Sequence, residues 1–465
     1  MNRPDSSPRR VDWPQALGLA LAGLVAATLS GCVDSFQVHR KSLESLYAAG
    51  DYAKAAAILD APEGRRLYGD KNQLLYWLDR GSIALAQGQP EVAISNLERA
   101  EDFMEVRREL SAGDEIARWL INDTAAPYYG EPYEEQYVNV LKLLAQLEQG
   151  NFDGGATVEA RRMAGKADVL RDRYLRALGE ATKKGESSIT GFSPPSLGQA
   201  YANPEGAFVE STLGTFLTAV TFMMTGDPGG QSVAARRLRT NIDAQAGLIG
   251  PVRAEDFESL GELTPGRVNA LVVALSGRGP TKEPARFGPI PIYTYTVYFE
   301  LPELRGGSAE CPRARVVVDG DDPFTQELSL IEDMRSVAAE NHRRQLPVIY
   351  LRAFLRSSLK AAAVAVGTEA ARRGAGSRDT KTAIELAGIL GGLLFVTQTE
   401  KADLRCWAFL PGQAHVGLMN LPPGRHTVRV EYLSDTGSVL HSTQPQEVVI
   451  QPGRGLRTIV EHYWR

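Results

Sequence analysis

Three basic residues stand at helical spacing in the second half of the chain. Arg352, Arg356 and Lys360 are four residues apart, so a helix would carry all three side chains on one face. Such a face can bind an anionic glycan or an acidic protein segment. It can also form a salt-bridge network with acidic groups such as Glu332 and Asp403 that fixes the helix to a sheet, and we favour this second interpretation.

The sequence contains none of the spacings typical of metal or nucleophilic catalysis. No two of the six histidines stand four residues apart, so a helical zinc site is not indicated. No Gly-x-Ser-x-Gly motif marks a hydrolase nucleophile. We therefore expect no cofactor, no metal site and no enzyme activity, although carboxylates from distant segments could still converge in a hydrolase site.

A glycine-rich stretch from Gly277 to Lys282 follows an apolar strand but lacks the spacing of a phosphate-binding loop. That motif requires Gly directly before Lys, whereas Thr281 precedes Lys282 here. Pro280 also lacks the backbone N–H that a phosphate cradle would use. We interpret the stretch as a tight turn and treat Lys282 as a candidate contact for a partner.

Tyrosines are concentrated in residues 122–133, a segment with two prolines and a glycine that is predicted to be a loop. Exposed tyrosines on a helical scaffold can anchor a partner, so Tyr128, Tyr129 and Tyr133 are candidate binding residues. The alternative, which we favour, is that these rings pack over the adjoining helices.

Helix-prone sequence dominates the first half, and one turn pattern recurs in it. In residues 77–100, Gly81 and Ala93 are small where two helices could touch, while Gly88 and Pro90 suit the turn between them. Similar turns recur at three further glycines: Gly50, Gly150 and Gly226. The pattern resembles the tetratricopeptide repeat, which implies helix hairpins, here irregularly spaced. Unrelated helices that end at such turns are the alternative.

From about residue 265 the hydrophobic pattern indicates strands and further helices. Strands are predicted at residues 268–275, 290–300, 315–318, 405–409, 414–418, 426–432, 447–450 and 456–464, and helices at 328–341, 348–373 and 383–396. The prediction is an α+β multidomain protein. A tetratricopeptide-like helical domain spans residues 32–250, and a mixed α+β domain with β-sandwich-like C-terminal strands spans residues 265–465.

Residues 1–31 have the features of a lipoprotein signal peptide. Arginines precede an apolar run that is shorter than the roughly 20 residues needed to cross a bilayer. The sequence Leu29-Ser30-Gly31-Cys32 resembles a lipobox, which implies that Cys32 is lipidated and that its acyl chains anchor the protein in the membrane. A plain cleaved signal is the alternative. Val33 in place of Asp favours transfer to the periplasmic face of the outer membrane.

Composition argues against nucleic-acid binding and leaves the state of two cysteines open. The chain of 465 residues carries a net charge of −5, whereas nucleic-acid binders normally have a basic excess. Beyond Cys32, only Cys311 and Cys406 remain. In an oxidising periplasm these two either form one disulfide or stay as buried thiols.

The arrangement resembles a family of largely uncharacterised proteobacterial envelope lipoproteins, with tetratricopeptide-like helices before a mixed C-terminal half. The stretches that carry the resemblance are YWLDRGSIALAQGQPEVAISNLERAED, SGRGPTKEP, YLRAFLRSSLKAAA and KADLRCWAFLPG. The resemblance implies an architecture and no activity. We expect a non-catalytic scaffold or adaptor that binds another envelope protein. The alternative is an accessory that binds peptidoglycan or an exported polysaccharide, with Trp407 and Trp464 in its stacking surface.

Overall fold

The computed structural model describes residues 35–109, 127–188, 209–249, 252, 254–292, 295–306, 311–320, 323–374, 402–453 and 455–464. The predicted signal peptide, Cys32 and the predicted helix 383–396 lie outside these ranges. The described chain is a mixed α+β structure, with helices in its first half and a curled mixed sheet in its second half.

Helices from the first half form a layer, to which the second half adds one long helix. In chain order the helices are α1 (Ser35–Ala48), α2 (Tyr52–Asp60), α3 (Pro62–Tyr68), α4 (Gln73–Ala86), α5 (Pro90–Glu109), α6 (Pro132–Glu148), α7 (Thr157–Ser188), α8 (Thr212–Thr225), α9 (Pro228–Ile249) and α10 (Met334–Gly374). Short 3-10 turns occupy Asp70–Asn72 and Ala254–Gly261, and a π turn occupies Phe152–Ala156. Among the helices of the described ranges, none is long and apolar enough to span a bilayer.

The predicted glycine turns are confirmed at the ends of α1, α4, α6 and α8. Gly50, Gly88, Gly150 and Gly226 all adopt a left-handed backbone, with φ between 64° and 75°. Glycine adopts this conformation at little cost because it has no Cβ. Each turn lets the next helical segment begin within two residues of the glycine.

The small residues of the α4–α5 hairpin lie where its two helices touch. A Cβ on Gly81 would stand 2.8 Å from Cγ of Leu97, and Ala93 and Ala100 are fully buried. The two helices therefore approach closely because Gly81 has no side chain.

Ten strands are described in the second half. They are β1 (Ala270–Arg278), β2 (Thr281–Ile292), β3 (Tyr295–Arg305), β4 (Arg313–Asp319), β5 (Phe324–Asp333), β6 (Pro411–Met419), β7 (Gly424–Leu433), β8 (Val439–Ser442), β9 (Gln446–Ile450) and β10 (Arg457–Tyr463). Eight of them form one sheet in the order β10-β1-β6-β5-β4-β7-β8, with β9 also paired to β7. Strands β1 and β10 are parallel, and the other pairs are antiparallel. Strands β2 and β3 form a separate hairpin.

The sheet curls around a core of its own. Along β1, Leu271 packs toward the helices, whereas Val272 faces the concave side together with residues of β4 and β7. The Tyr432 hydroxyl on β7 donates to the Leu275 carbonyl on β1 at 3.1 Å, across the curl. Strand β5 pairs first with β4 and then with β6, so the strands form one sheet and not the two sheets of the predicted sandwich.

Several predicted element boundaries are corrected by the structure. The predicted helix 328–341 is strand β5 up to Asp333 and helix α10 from Met334. The Asp333 carboxylate accepts a hydrogen bond from the Ser336 backbone N–H at 3.1 Å, which fixes the start of α10. Helix α10 then continues through Pro347 without a second helix start. The predicted strand 290–300 includes the end of β2 at Ile292 and the start of β3 at Tyr295.

One hydrophobic core joins the helices and the sheet. It includes Leu43 and Leu97 from the helices, Leu271 and Val416 from the sheet, and Trp407 from the segment before β6. The predicted boundary between residues 250 and 265 therefore separates two parts of the chain that share a core.

Candidate functional site

The helical layer contains a cleft of about 590 Å³ between α2, α3, α4 and α5. Three aromatic residues and three arginines contribute to its walls: Tyr68, Tyr76, Trp77, Arg65, Arg80 and Arg99. Asp60 and Asp70 also line it. Aromatic rings and guanidinium groups that line the same cleft are typical of sites that bind proteins or anions.

Asp60 organises this cleft. Its carboxylate accepts hydrogen bonds from the Tyr76 hydroxyl at 2.8 Å and from Nε of Arg80 at 2.9 Å. The Arg65 guanidinium lies over the Tyr76 ring, 5.5 Å from the centroid. Burial and the hydrogen bond to Asp60 raise the pKa of Tyr76 to about 12, so its hydroxyl remains a donor at neutral pH.

Arg80 retains hydrogen-bonding capacity. Its side chain is 12% exposed, and its Nη1 is buried without a hydrogen-bond partner among the described residues. A buried N–H is costly until an acceptor reaches it. Arg65, Arg80 and Arg99 outnumber Asp60 and Asp70, so the net charge of +1 in the cleft favours anions.

Three half-buried rings form a row that leads away from the cleft. Trp77 and Phe103 meet edge to face with centroids 5.5 Å apart, and Phe103 stacks on Tyr129 at 6.4 Å. Tyr129 is half-buried and Tyr128 and Tyr133 are buried, so of the three candidate tyrosines only Tyr129 lies near a surface site.

Tyr128, Tyr133 and Lys282 are not accessible partner contacts, because all three are buried. The Tyr128 hydroxyl donates to Glu134 at 2.6 Å, and Lys282 forms an ion pair with Glu131. The Lys282 ammonium also lies 5.6 Å from the centroid of the Tyr128 ring. Tyr128 and Tyr133 are packed inside the protein, as in the interpretation that we favour, and their alternative role as partner contacts is corrected together with that of Lys282. Tyr128 and Lys282 stabilise the junction between α6 and the β2–β3 hairpin.

A segment without helix or strand, residues 402–410, lies against α1, α4 and α6. The Trp407 backbone N–H donates to Glu134 at 2.6 Å, and its indole N–H donates to Oγ of Ser82 at 2.9 Å. Arg40 donates to the Cys406 carbonyl at 2.8 Å. The predicted strand 405–409 does not form, because these backbone groups bond to helix side chains instead of another strand.

The two remaining cysteines are separate, and the tryptophans proposed to stack on a glycan are covered. Cys311 and Cys406 are buried and are not joined in a disulfide, because Cys311 packs inside the curled sheet and Cys406 faces the helices. Burial raises the pKa of Cys406 to about 11, so its thiol is a poor nucleophile at neutral pH. Trp407 and Trp464 are 1% and 5% exposed, so neither offers a sugar-stacking surface.

The basic face of α10 is only partly accessible. Arg356 is 5% exposed and Arg352 is half-buried, while the side chain of Lys360 lies outside the described atoms. Glu332 bonds to α6 and α8, and Asp403 pairs within its own segment. The acidic groups expected to clamp this face are therefore engaged elsewhere.

Sequence reasoning identified Trp77 but not the rest of the cleft. Trp77 and Arg80 are three residues apart on α4, so helical spacing could have placed them on one face. The contribution of Asp60 depends on how α2 packs against α4, and no local spacing encodes that contact.

Comparisons of the chain with protein-family models, with curated proteins and with solved structures find no match. Within the described ranges, no three His, Cys, Asp or Glu side chains converge as a metal site. The candidate site is therefore defined by its geometry and charge alone.

Proposed function

We propose that the protein is a non-catalytic scaffold or adaptor of the bacterial envelope, and that its cleft receives an extended acidic segment of another protein. The observation that carries this proposal is an open cleft in which the exposed Arg65 and Arg99 lie beside the rings of Tyr76 and Trp77. An incoming carboxylate would pair with these guanidinium groups, and Trp77 would supply apolar contact area.

The hairpin arrangement of the helices supports the same function. We infer that the helical layer consists of degenerate tetratricopeptide-like hairpins, as in the envelope lipoprotein family that the sequence resembles. The left-handed turn at Gly88 and the close approach of Gly81 to Leu97 favour this inference. Grooves on arrays of helix hairpins suit extended peptides or helices.

A lipid anchor would hold the adaptor at a membrane surface. The lipobox-like motif that ends at Cys32 favours lipidation, and Val33 favours the periplasmic face of the outer membrane. Acyl chains at the start of the mature chain would leave the cleft available to a periplasmic partner.

Charge reversal at the edge of the cleft tests the proposed function. Arg99 is exposed, so Arg99→Glu should preserve the fold while repelling an acidic segment. Affinity purification of the tagged protein from solubilised envelopes, followed by mass spectrometry, should recover a partner with the wild type. Recovery should fall about tenfold with the variant.

The matched control is Arg239→Glu, which reverses the charge of an exposed arginine on α9. This control should recover the partner as well as the wild type does. Equal recovery with Arg99→Glu and the wild type would contradict the assignment of the cleft.

A further inference from the structure

The sequence leaves little chain between the proposed lipid anchor and the folded protein. Only Val33 and Asp34 lie between Cys32 and Ser35, where helix α1 begins. Consecutive Cα atoms are about 3.8 Å apart, so these three steps cover at most about 11 Å. Acyl chains on Cys32 would therefore hold the start of α1 close to the lipid headgroups.

Helix α1 is fixed to the rest of the protein along its length. Phe36 and Tyr47, near its two ends, are 7% and 1% exposed. The Phe36 ring meets the Tyr68 ring of α3 edge to face, with centroids 5.0 Å apart. Arg40 donates to the Cys406 carbonyl at 2.8 Å. Moving α1 away from α3 would expose these buried groups at a cost in free energy, so a restraint on the start of α1 also restrains α3.

The exposed surface around the start of α1 suits a layer of lipid headgroups. We define the α1–α3 surface as the exposed side chains of the first two turns of α1 and of helix α3. Three cations and one carboxylate give it a net charge of +2: Lys41, Arg65, Arg66 and Glu63. Val38, also in these turns of α1, is apolar and 53% exposed. Basic residues close to a bilayer are attracted to anionic headgroups, so this surface favours an anionic membrane.

Helix α3 belongs both to this surface and to the cleft of the helical layer. Arg65 and Tyr68 line the cleft, and the ring of Tyr68 also contacts Phe36 at the start of α1. The wall of the cleft is therefore in direct contact with the helix that follows the proposed anchor.

We propose that the α1–α3 surface lies against the headgroups of an anionic lipid bilayer, so that the cleft opens beside the membrane. The inference rests on the proposed lipidation of Cys32. The short tether sets the distance from the bilayer, and the cations of the surface select the side of the protein that faces the lipid. An acidic segment that enters the cleft then comes from a protein at the same membrane.

Fluorescence quenching in vesicles tests this orientation. The lipidated protein, labelled at Glu63→Cys on α3, is reconstituted into vesicles of phosphatidylcholine and phosphatidylglycerol that contain a lipid with a nitroxide headgroup. Cys311 and Cys406 are buried, and lipidation blocks the thiol of Cys32, so the dye reacts at the introduced thiol. Because the α1–α3 surface faces the nitroxides, quenching should be at least about threefold stronger than for a control label.

The matched control is a label at Asp168→Cys on α7. The side chains of Asp168 and Glu63 are 66% and 64% exposed, and each pairs with an arginine three residues later. Helix α7 packs against α6, α8 and α10. Equal quenching of the two labels would overturn the proposal.

A longer tether tests the role of the anchor. A Gly-Ser segment of about 20 residues between Val33 and Asp34 spans about 25 Å on average, so quenching at Glu63→Cys should fall at least about twofold. Unchanged quenching would contradict the restraint by a short tether. Intact-mass measurement of the purified protein checks the acyl chains on Cys32, and their absence would overturn the anchor itself. The vesicles contain no partner protein, so none of these results depends on partner binding in the cleft.

Discussion

Glu131 and Glu134 stand three residues apart at the start of α6, and their pKa values shift in opposite directions. Burial raises the pKa of Glu134 to about 7. Burial also opposes ionisation of Glu131, but the ammonium of Lys282 in direct contact outweighs it and lowers the pKa of that carboxyl. The position of one buried cation thus decides which carboxylate is ionised at neutral pH.

Replacing Glu134 should change how stability depends on pH. Its folded-state pKa of about 7 lies above the ordinary value of 4.5, so the folded protein keeps a proton that the unfolded chain releases. The stabilisation is therefore complete below the unfolded value and is lost as the pH rises to about 7. Glu134 contributes about 3 kcal/mol to the loss of stability in the wild type. Glu134→Gln should reduce the pH dependence by this share in urea unfolding at about pH 5 and about pH 8, while the raised pKa values of Glu148, Glu332 and Glu461 keep the remainder.

A matched substitution at the surface serves as the control for this experiment. Glu283 is 60% exposed, so Glu283→Gln should follow the wild-type pH dependence. An unchanged pH dependence in Glu134→Gln would mean that Glu134 is ionised in the folded protein.

At the scale of elements, local chemistry could be predicted and distant contacts could not. The turns at Gly50, Gly88, Gly150 and Gly226 follow from glycine itself, because few other residues adopt a left-handed backbone. The sequence predicts a strand at residues 405–409. Its backbone partner Glu134 stands 273 residues away in the sequence, so only the folded chain reveals why no strand forms.

The α4–α5 hairpin should depend on the absence of a side chain at Gly81. Gly81→Ala places a Cβ 2.8 Å from Cγ of Leu97 and should destabilise the protein by about 1–3 kcal/mol. Gly165→Ala, in α7 with nothing within 4 Å, should stabilise it by about 0.5–1 kcal/mol. Thermal or urea unfolding measures both changes. Equal effects of the two substitutions would contradict the close approach of α4 and α5.

For the whole molecule, the sequence predicted the order of a helical half and a mixed half but not the core between them. The ring of Tyr47 on α1 packs against those of Phe409 and Trp464, with centroid distances of 4.7 Å and 5.3 Å. These three rings come from both ends of the chain and from the segment before β6. No periodicity in the sequence indicates that these rings meet, because the hydrophobic pattern of each element would fit two separate domains equally well.

Loss of Trp464 should therefore destabilise helices and sheet together. Trp464→Ala removes a ring that is 5% exposed and should cost about 3–5 kcal/mol. The thermal unfolding transitions followed by far-ultraviolet and by near-ultraviolet circular dichroism should coincide, and both should shift to lower temperature. Leu440→Ala, at a position 46% exposed, should leave the transition nearly unchanged. Two transitions, with only one shifted by Trp464→Ala, would indicate independent domains.

The cleft between α2, α3, α4 and α5 could not be predicted from the sequence either, because its residues meet only in the folded chain. Its arginines and aromatic rings are scattered between residues 60 and 99, and the pairing of Asp60 with Arg80 depends on tertiary packing. The burial of Tyr128 and Tyr133 agrees with the favoured prediction that the tyrosines pack over helices, whereas Lys282 joins the two halves through its ion pair with Glu131.

In-cell photo-crosslinking tests the proposed adaptor function most directly. A photoreactive residue at position 96, which lines the cleft, and one at position 233, which is 53% exposed on α9, would be compared in intact cells. Mass spectrometry of the purified adducts should identify the same envelope protein repeatedly from position 96 and not from position 233. No reproducible adduct at position 96, or the same adducts at both positions, would contradict partner binding in this cleft.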